Sequence, residues 1–300
     1  MSPARAFLFL TLIGTTWGLS IPLTRIAVTA GHSPWGLIAW QLIIATICTA
    51  LMLKGTGRAL PRLGHGWPIM VFVAVIGTLL PNSFSYRAAA ELPAGIMAIV
   101  IAIVPIFAVP VAWALGLERP GPKRLLGIAM GAVAITLIAL PETSLPDPSK
   151  AGWILIALIA PLSYAIEGNG LAKFGTRGLD PIAVLFGASL LGTVVIVPVT
   201  LATGTWINPV RVWGPAEWAI LGIGLTHMAA YSGYIWLVGQ AGSVFAAQVA
   251  YIVTGSGVIW SMLLLDERYA AWVWVALALM MAGIALVQPR RTEQSTQALE

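Results

Sequence analysis

Of the 300 residues, 59% are hydrophobic and 9% charged, against roughly 45–50% and about 25% in ordinary soluble domains. A soluble chain could neither hide that much apolar surface nor cover itself with so few charges, so lipid is the expected outer solvent. The net charge of +5 comes from 16 basic residues scattered among connections without a basic stripe, which argues against a nucleic-acid-binding face.

The chain opens with Met-Ser-Pro-Ala-Arg and turns apolar, and the run continues past Pro22 towards Arg25. A signal peptide would have a shorter core and a small-residue cleavage site, so this stretch reads as the first membrane helix. About 20 apolar residues span the hydrocarbon core as a helix. On that measure the sequence predicts spans at 6–28, 34–53, 67–86, 92–115, 123–141, 151–172, 180–202, 215–238, 243–265 and 270–288. Polar breaks rich in glycine or proline separate them: Lys54–Arg58, Glu118–Arg124 and Glu142–Lys150, and a polar tail begins at Gln288. The lone cysteine, Cys48, lies inside an apolar stretch, which excludes a disulfide framework or a CxxC site.

Basic residues in short connections stay on the cytoplasmic side. With the N-terminus inside, the inner connections hold Arg5, Lys54, Arg58, Arg62, Arg119, Lys123, Arg124, Lys173, Arg177, Arg290 and Arg291. The outer ones hold Arg25, Arg87, Lys150, Arg211 and Arg268. Eleven against five predicts that both termini are cytoplasmic.

The sequence also echoes itself. Leu117-Glu118-Arg119 precedes an apolar, glycine-containing helix, and Asp266-Glu267-Arg268 does the same 149 residues later. Gly14-Thr-Thr-Trp17-Gly18 at the first opening matches Pro161-Leu-Ser-Tyr164-Ala165 at the second. Five spans per copy is an odd number, so the second copy enters the bilayer upside down. Inverted repeats of this kind hold substrate near the midplane, where the copies meet.

These motifs resemble the drug/metabolite transporter superfamily and, within it, the paired EamA-type domains. The chain looks most similar to the YddG-type aromatic amino-acid exporters. That resemblance implies a bacterial inner-membrane efflux protein with cytoplasmic termini, and a central cavity lined by helices 1, 3, 4, 6, 8 and 9. The sequence departs from the pattern where Thr254 stands opposite Pro105 and Tyr164 opposite Trp17. The expected fold class is therefore an all-α integral membrane protein. Its ten transmembrane helices form two inverted five-helix repeats, 1–142 and 151–288, around a central cavity, with 289–300 as a cytoplasmic tail.

Polar groups at membrane depth are costly and usually face a cavity or the bundle interior. Thr78, Asn82 and Tyr86 share one helical stripe beside Ser83, as do His227, Tyr231 and Tyr234. Gln248, Tyr251 and Gly255 make a third, next to Thr254, and Trp17, Ser20 and Thr24 a fourth. From these stripes and Tyr164, the candidate substrate-binding residues are Trp17, Ser20, Thr78, Asn82, Tyr86, Tyr164, His227, Tyr231, Tyr234, Gln248 and Tyr251. Aromatic faces suit planar or cationic solutes, and the amides and hydroxyls suit a few polar groups; helix–helix hydrogen bonding is the competing role. Glu167 and His227 are candidate proton-coupling groups, although Lys173 lies close enough in sequence to Glu167 to pair with it. Pro22 and Pro105 are candidate hinges. Glu118 and Glu267, beside arginines at helix ends, read as caps and ion pairs.

No HExxH, GxSxG or phosphate-binding glycine loop is present, and His, Asp and Glu are too few for a metal centre. No enzyme activity and no cofactor is expected. The function predicted is a secondary transporter that exports small amphipathic metabolites, aromatic amino acids foremost, by alternating access. A facilitator or channel, or an exporter of planar organic cations, is the alternative. The expected partners are the solute and the bilayer, with no nucleic acid. Gly14-x3-Gly18 and Gly127-x3-Gly131 point to packing within the bundle of a monomer rather than dimerisation.

Overall fold

The computed structural model describes residues 2–61, 66–139, 147–210, 212–241, 243–246 and 248–287. Arg62, Glu142, Arg211, Gly242, Arg290, Arg291 and the expected tail lie outside the described residues. Among those described, helices are the sole regular structure. In chain order they are α1 (Pro3–Thr29), α2 (Pro34–Gly55), α3 (Trp67–Ala74), α4 (Leu80–Glu91), α5 (Ala94–Ile101), α6 (Val104–Ala114) and α7 (Pro122–Ala139). There follow α8 (Gly152–Ala157), α9 (Ile159–Phe174), α10 (Pro181–Ala202), α11 (Pro215–Ala241), α12 (Ser243–Ala246), α13 (Val249–Leu265) and α14 (Ala271–Val287).

Seven segments of the described chain are long and apolar enough to cross a membrane, among them Trp67–Glu91, Ala94–Ala114 and Ser149–Phe174. α13 and α14 are shorter apolar helices. The outward faces are apolar too: Leu8, Val194 and Leu263 are 60%, 62% and 66% exposed. Such a surface is stable against hydrocarbon and not against water.

Proline decides where three spans are interrupted. Its missing N–H and its ring are incompatible with the carbonyl four residues earlier. Pro81 follows a π-helical turn, Val75–Leu79, that joins α3 to α4. Pro105 stands at the start of α6, directly after the break at Ala102–Ile103. Pro161 lies in the first turn of α9, just beyond the break at Leu158. Pro22 is different, since α1 runs through it without interruption.

Glycine sets how closely the helices approach. A Cβ on Gly127 would meet the Gly283 carbonyl oxygen at 2.7 Å, and one on Gly283 would meet the Gly127 oxygen at 2.9 Å. α7 and α14 therefore touch backbone to backbone. Gly14 and Gly18 of α1 do the same against α13: a side chain at Gly14 would strike Ile252 at 2.6 Å, and one at Gly18 would strike Ser256. Both small-residue motifs serve packing within the bundle, and Trp260 Nε1 adds a 3.1 Å hydrogen bond to the Thr15 carbonyl.

The helix ends form two polar clusters. At one end Arg58 pairs with Asp180 at 2.6 Å, and Lys173 Nζ donates to the Leu115 carbonyl at 2.8 Å. Glu118 pairs with Arg124 close by in sequence. At the other end Arg25 Nη1 donates to the Ala89 carbonyl at 2.6 Å, and Lys150 pairs with Glu91. There too the Glu267 carboxylate accepts from the Ala94 and Gly95 amides, at 2.8 and 3.2 Å. Glu267 thus caps α5 from across the bundle, satisfying donors that a helix start leaves unpaired. The Tyr269 hydroxyl donates to the same carboxylate and accepts from Gly95 N at 3.0 Å. Burial and the neighbouring Glu267 push the Tyr269 phenol well above its ordinary range, so it keeps its proton.

Candidate functional site

Between the helices lies a cavity of about 470 Å³. Its wall draws Trp17, Ser20 and Thr24 from α1, and Thr78, Asn82 and Tyr86 from the π-turn and α4. Pro105 comes from α6, Tyr164 and Glu167 from α9, and His227 and Tyr231 from α11. At one end the lining reaches Thr176 and Pro181, in and after the α9–α10 connection; at the other it is bounded by Ala89, Met97 and Ala98. The second end is the one covered by the Glu267 cap.

Eight of the eleven residues expected to bind solute face this space together. Tyr234, Gln248 and Tyr251 do not. Tyr234 turns towards Trp17, with ring centroids 6.4 Å apart, and packs in the cluster around Leu10 and Ile13. On α13 the expected stripe is offset. Val249, Ala250, Val253 and Thr254 line the cavity, whereas Tyr251 packs against the main core. The reason lies in the α1–α13 contact. Gly14 and Gly18 fix Ile252 and Ser256 against α1, and at 100° per residue this rotates 251 and 255 away from the cavity.

Gln41 was not among the residues that the stripes suggested, yet it is the hub of the wall. Its Oε1 accepts from Asn82 Nδ2 at 3.0 Å and from the Tyr86 hydroxyl. The Tyr164 hydroxyl donates to Asn82 Oδ1 at 3.1 Å. The chain of bonds therefore joins α9, α4 and α2 and fixes both amides: Tyr164 donates to Asn82, Asn82 and Tyr86 donate to Gln41 Oε1, and the Gln41 –NH2 has no partner among the described residues. The available signal was a lone amide inside an apolar span, Ala39-Trp40-Gln41-Leu42. The cavity also takes lining from α2 and α10, such as Ala45 and Ser189, beyond the helices that the family resemblance implies.

Other hydroxyls are spoken for locally. Ser20 donates to the Trp17 carbonyl at 2.7 Å and Thr24 to the Ser20 carbonyl at 2.8 Å. His227 Nδ1 lies 3.1 Å from the Ile223 carbonyl. A carbonyl only accepts, so Nδ1 carries the proton and Nε2 of the neutral ring is an acceptor. Trp17 stands edge-on to His227, with centroids 6.3 Å apart. Among the described residues Glu167 is the one Asp, Glu, Lys or Arg on the lining, and Lys173 Nζ is bonded to the Leu115 carbonyl.

An apolar-walled cavity with a few convergent polar groups, wrapped in helices whose outer faces are greasy, defines a multi-pass membrane protein that handles small molecules within the bilayer. Comparison with known proteins gives the family. The chain belongs to the EamA-like transporter family of the drug/metabolite transporter superfamily, whose model matches residues 4–140 and again 151–288. Its relatives include an uncharacterised transporter of Synechocystis (sll0355), 24% identical over 94% of this chain and 89% of the relative. A probable terminal-alkyne amino-acid exporter of Streptantibioticus cattleyicolor is 23% identical over 99% of both chains. The uncharacterised inner membrane transporter YedA of Escherichia coli K12 is 23% identical over 90% of this chain and 86% of its own. A solved crystal structure superposes over the full length of both chains with a TM-score of 0.61 at 20% identity, which marks a shared fold.

Proposed function

We propose that this chain is a secondary carrier that exports small amphipathic solutes, aromatic and other apolar amino acids foremost, across a bacterial inner membrane by alternating access. The observation that carries the reading is the cavity itself: aromatic and apolar walls from both parts of the chain, crossed by the Tyr164–Asn82–Gln41–Tyr86 hydrogen-bond chain. The amino-acid exporter among its relatives supports the solute class.

Alternating access by this route needs two inverted halves, 1–142 and 151–288, of five spans each. The double family match supports that division. So does the packing, which maps onto itself when the halves are exchanged. α1 packs on α13 as α9 packs on α6, α1 on α11 as α9 on α4, and α2 and α7 each pack on their counterparts α10 and α14. Arg58, Lys173 and Arg124 gather at the end that the cavity lining reaches, so a cytoplasmic placement of that end and of both termini fits the charge rule. The arrangement is then open inward and sealed outward. Pro105, at a helix break on the cavity wall, and Pro22 are the proposed hinges; His227 and Glu167 are the candidates for proton exchange.

The test is flux in proteoliposomes loaded with phenylalanine or tryptophan, with and without a pH gradient. Saturable efflux is expected. Unsaturable flux with single-channel currents would replace the carrier with a pore.

A further inference from the structure

We infer that the Glu167 carboxylate, seated against the π-turn at Gly77, is where the cavity binds a cationic nitrogen. This restricts the solute to compounds with a protonated amine beside an apolar body. The inference rests on the reading that the cavity holds solute, and it goes further by assigning the charge that the solute must carry.

A carboxylate in a membrane cavity either takes up a proton or is stabilised by a counter-charge, because leaving water charged and uncompensated costs several kcal/mol in order of magnitude. Glu167 makes no ion pair or hydrogen bond with the described residues, and Lys173, six positions along, is committed to Leu115. Its seat looks built for it. A Cβ on Gly77 would fall within 2.7 Å of Glu167 Oε2 and still nearer Oε1, so the carboxylate occupies the space that a side chain at 77 would fill. Gly77 lies on the π-turn and is the fourth residue before Pro81, which cannot donate the N–H that an α-helical Gly77 carbonyl would receive. The nearby lining adds Tyr164 and Tyr231, whose aromatic faces favour a cation, and His227, whose free nitrogen accepts. A donor without a partner among the described residues, the Gln41 –NH2, sits beyond Asn82 along the hydrogen-bond chain and suits an electronegative group at the solute's other end.

The experiment compares binding of 2-phenylethylamine and of its neutral isostere 2-phenylethanol to the purified full chain, by intrinsic tryptophan fluorescence at about pH 8. Wild type should prefer the amine by about tenfold or more, the equivalent of one modest ion pair. Glu167→Gln should abolish the preference, bringing the affinity for the amine down to that for the alcohol. Gly77→Ala, whose methyl displaces the carboxylate, should reduce the preference in the same direction. Size-exclusion profiles like that of wild type would show that both variants are folded. A Glu167→Gln protein that still prefers the amine overturns the inference while the carrier reading stands. Wild type that binds neither compound, and moves neither phenylalanine nor tryptophan, overturns both.

Discussion

Gln41 Oε1 accepts from two side chains on α4, so replacing it with leucine strands both donors on the cavity wall. Interhelical bonds of this kind are worth about 0.6–2 kcal/mol each inside membranes, and an unpaired buried donor costs about 1–3 kcal/mol. Gln41→Leu should therefore lower amino-acid flux by about tenfold and reduce resistance to denaturation, whereas Tyr164→Phe, which removes only the outermost donor, should do less. Flux and an unfolding titration on the same preparations check the order. Much of this wall was legible one residue at a time, because a polar group at membrane depth has few places to go. Asn82, Tyr86, Tyr164, His227 and Tyr231 all stand on the lining. Gln41 escaped because a single amide makes no stripe. Tyr251 misled because periodicity identifies a face of a helix without saying what that face meets.

The helices themselves were readable to within a few residues at most of their ends, since twenty apolar residues between polar breaks leave little choice. Less readable was which spans are broken. Prolines fall within several spans, but only Pro81, Pro105 and Pro161 coincide with interruptions, while α1 continues through Pro22. Interruption depends on whether neighbouring helices satisfy the freed carbonyl, and that is a tertiary property. The glycine contacts are more predictable in their effect. Gly127→Leu would drive a side chain into the Gly283 carbonyl, in a contact with backbone on both sides and no room to yield. It should destabilise the bundle by about 1–3 kcal/mol or more. Gly55→Leu, where nothing stands within 4 Å, should be neutral, and thermal melting in detergent separates the two.

At the scale of the molecule, the cavity reaches one end of the bundle and the Glu267 cap covers the other. Glu267→Ala removes the acceptor for two backbone amides and for Tyr269. The sealed state should lose ground, and a cysteine placed at Ala89 should react faster with a membrane-impermeant thiol reagent added from outside. Unchanged labelling would mean that the cap is incidental to closure. The same cap has a second use. Ala94 and Gly95 can exchange their amide protons for deuterium only when the carboxylate lets go, so their isotope uptake acts as a clock on outward opening. It runs without any label, in lipid, and under the proposed alternating access should speed up or slow down as solute shifts the transporter between its two states.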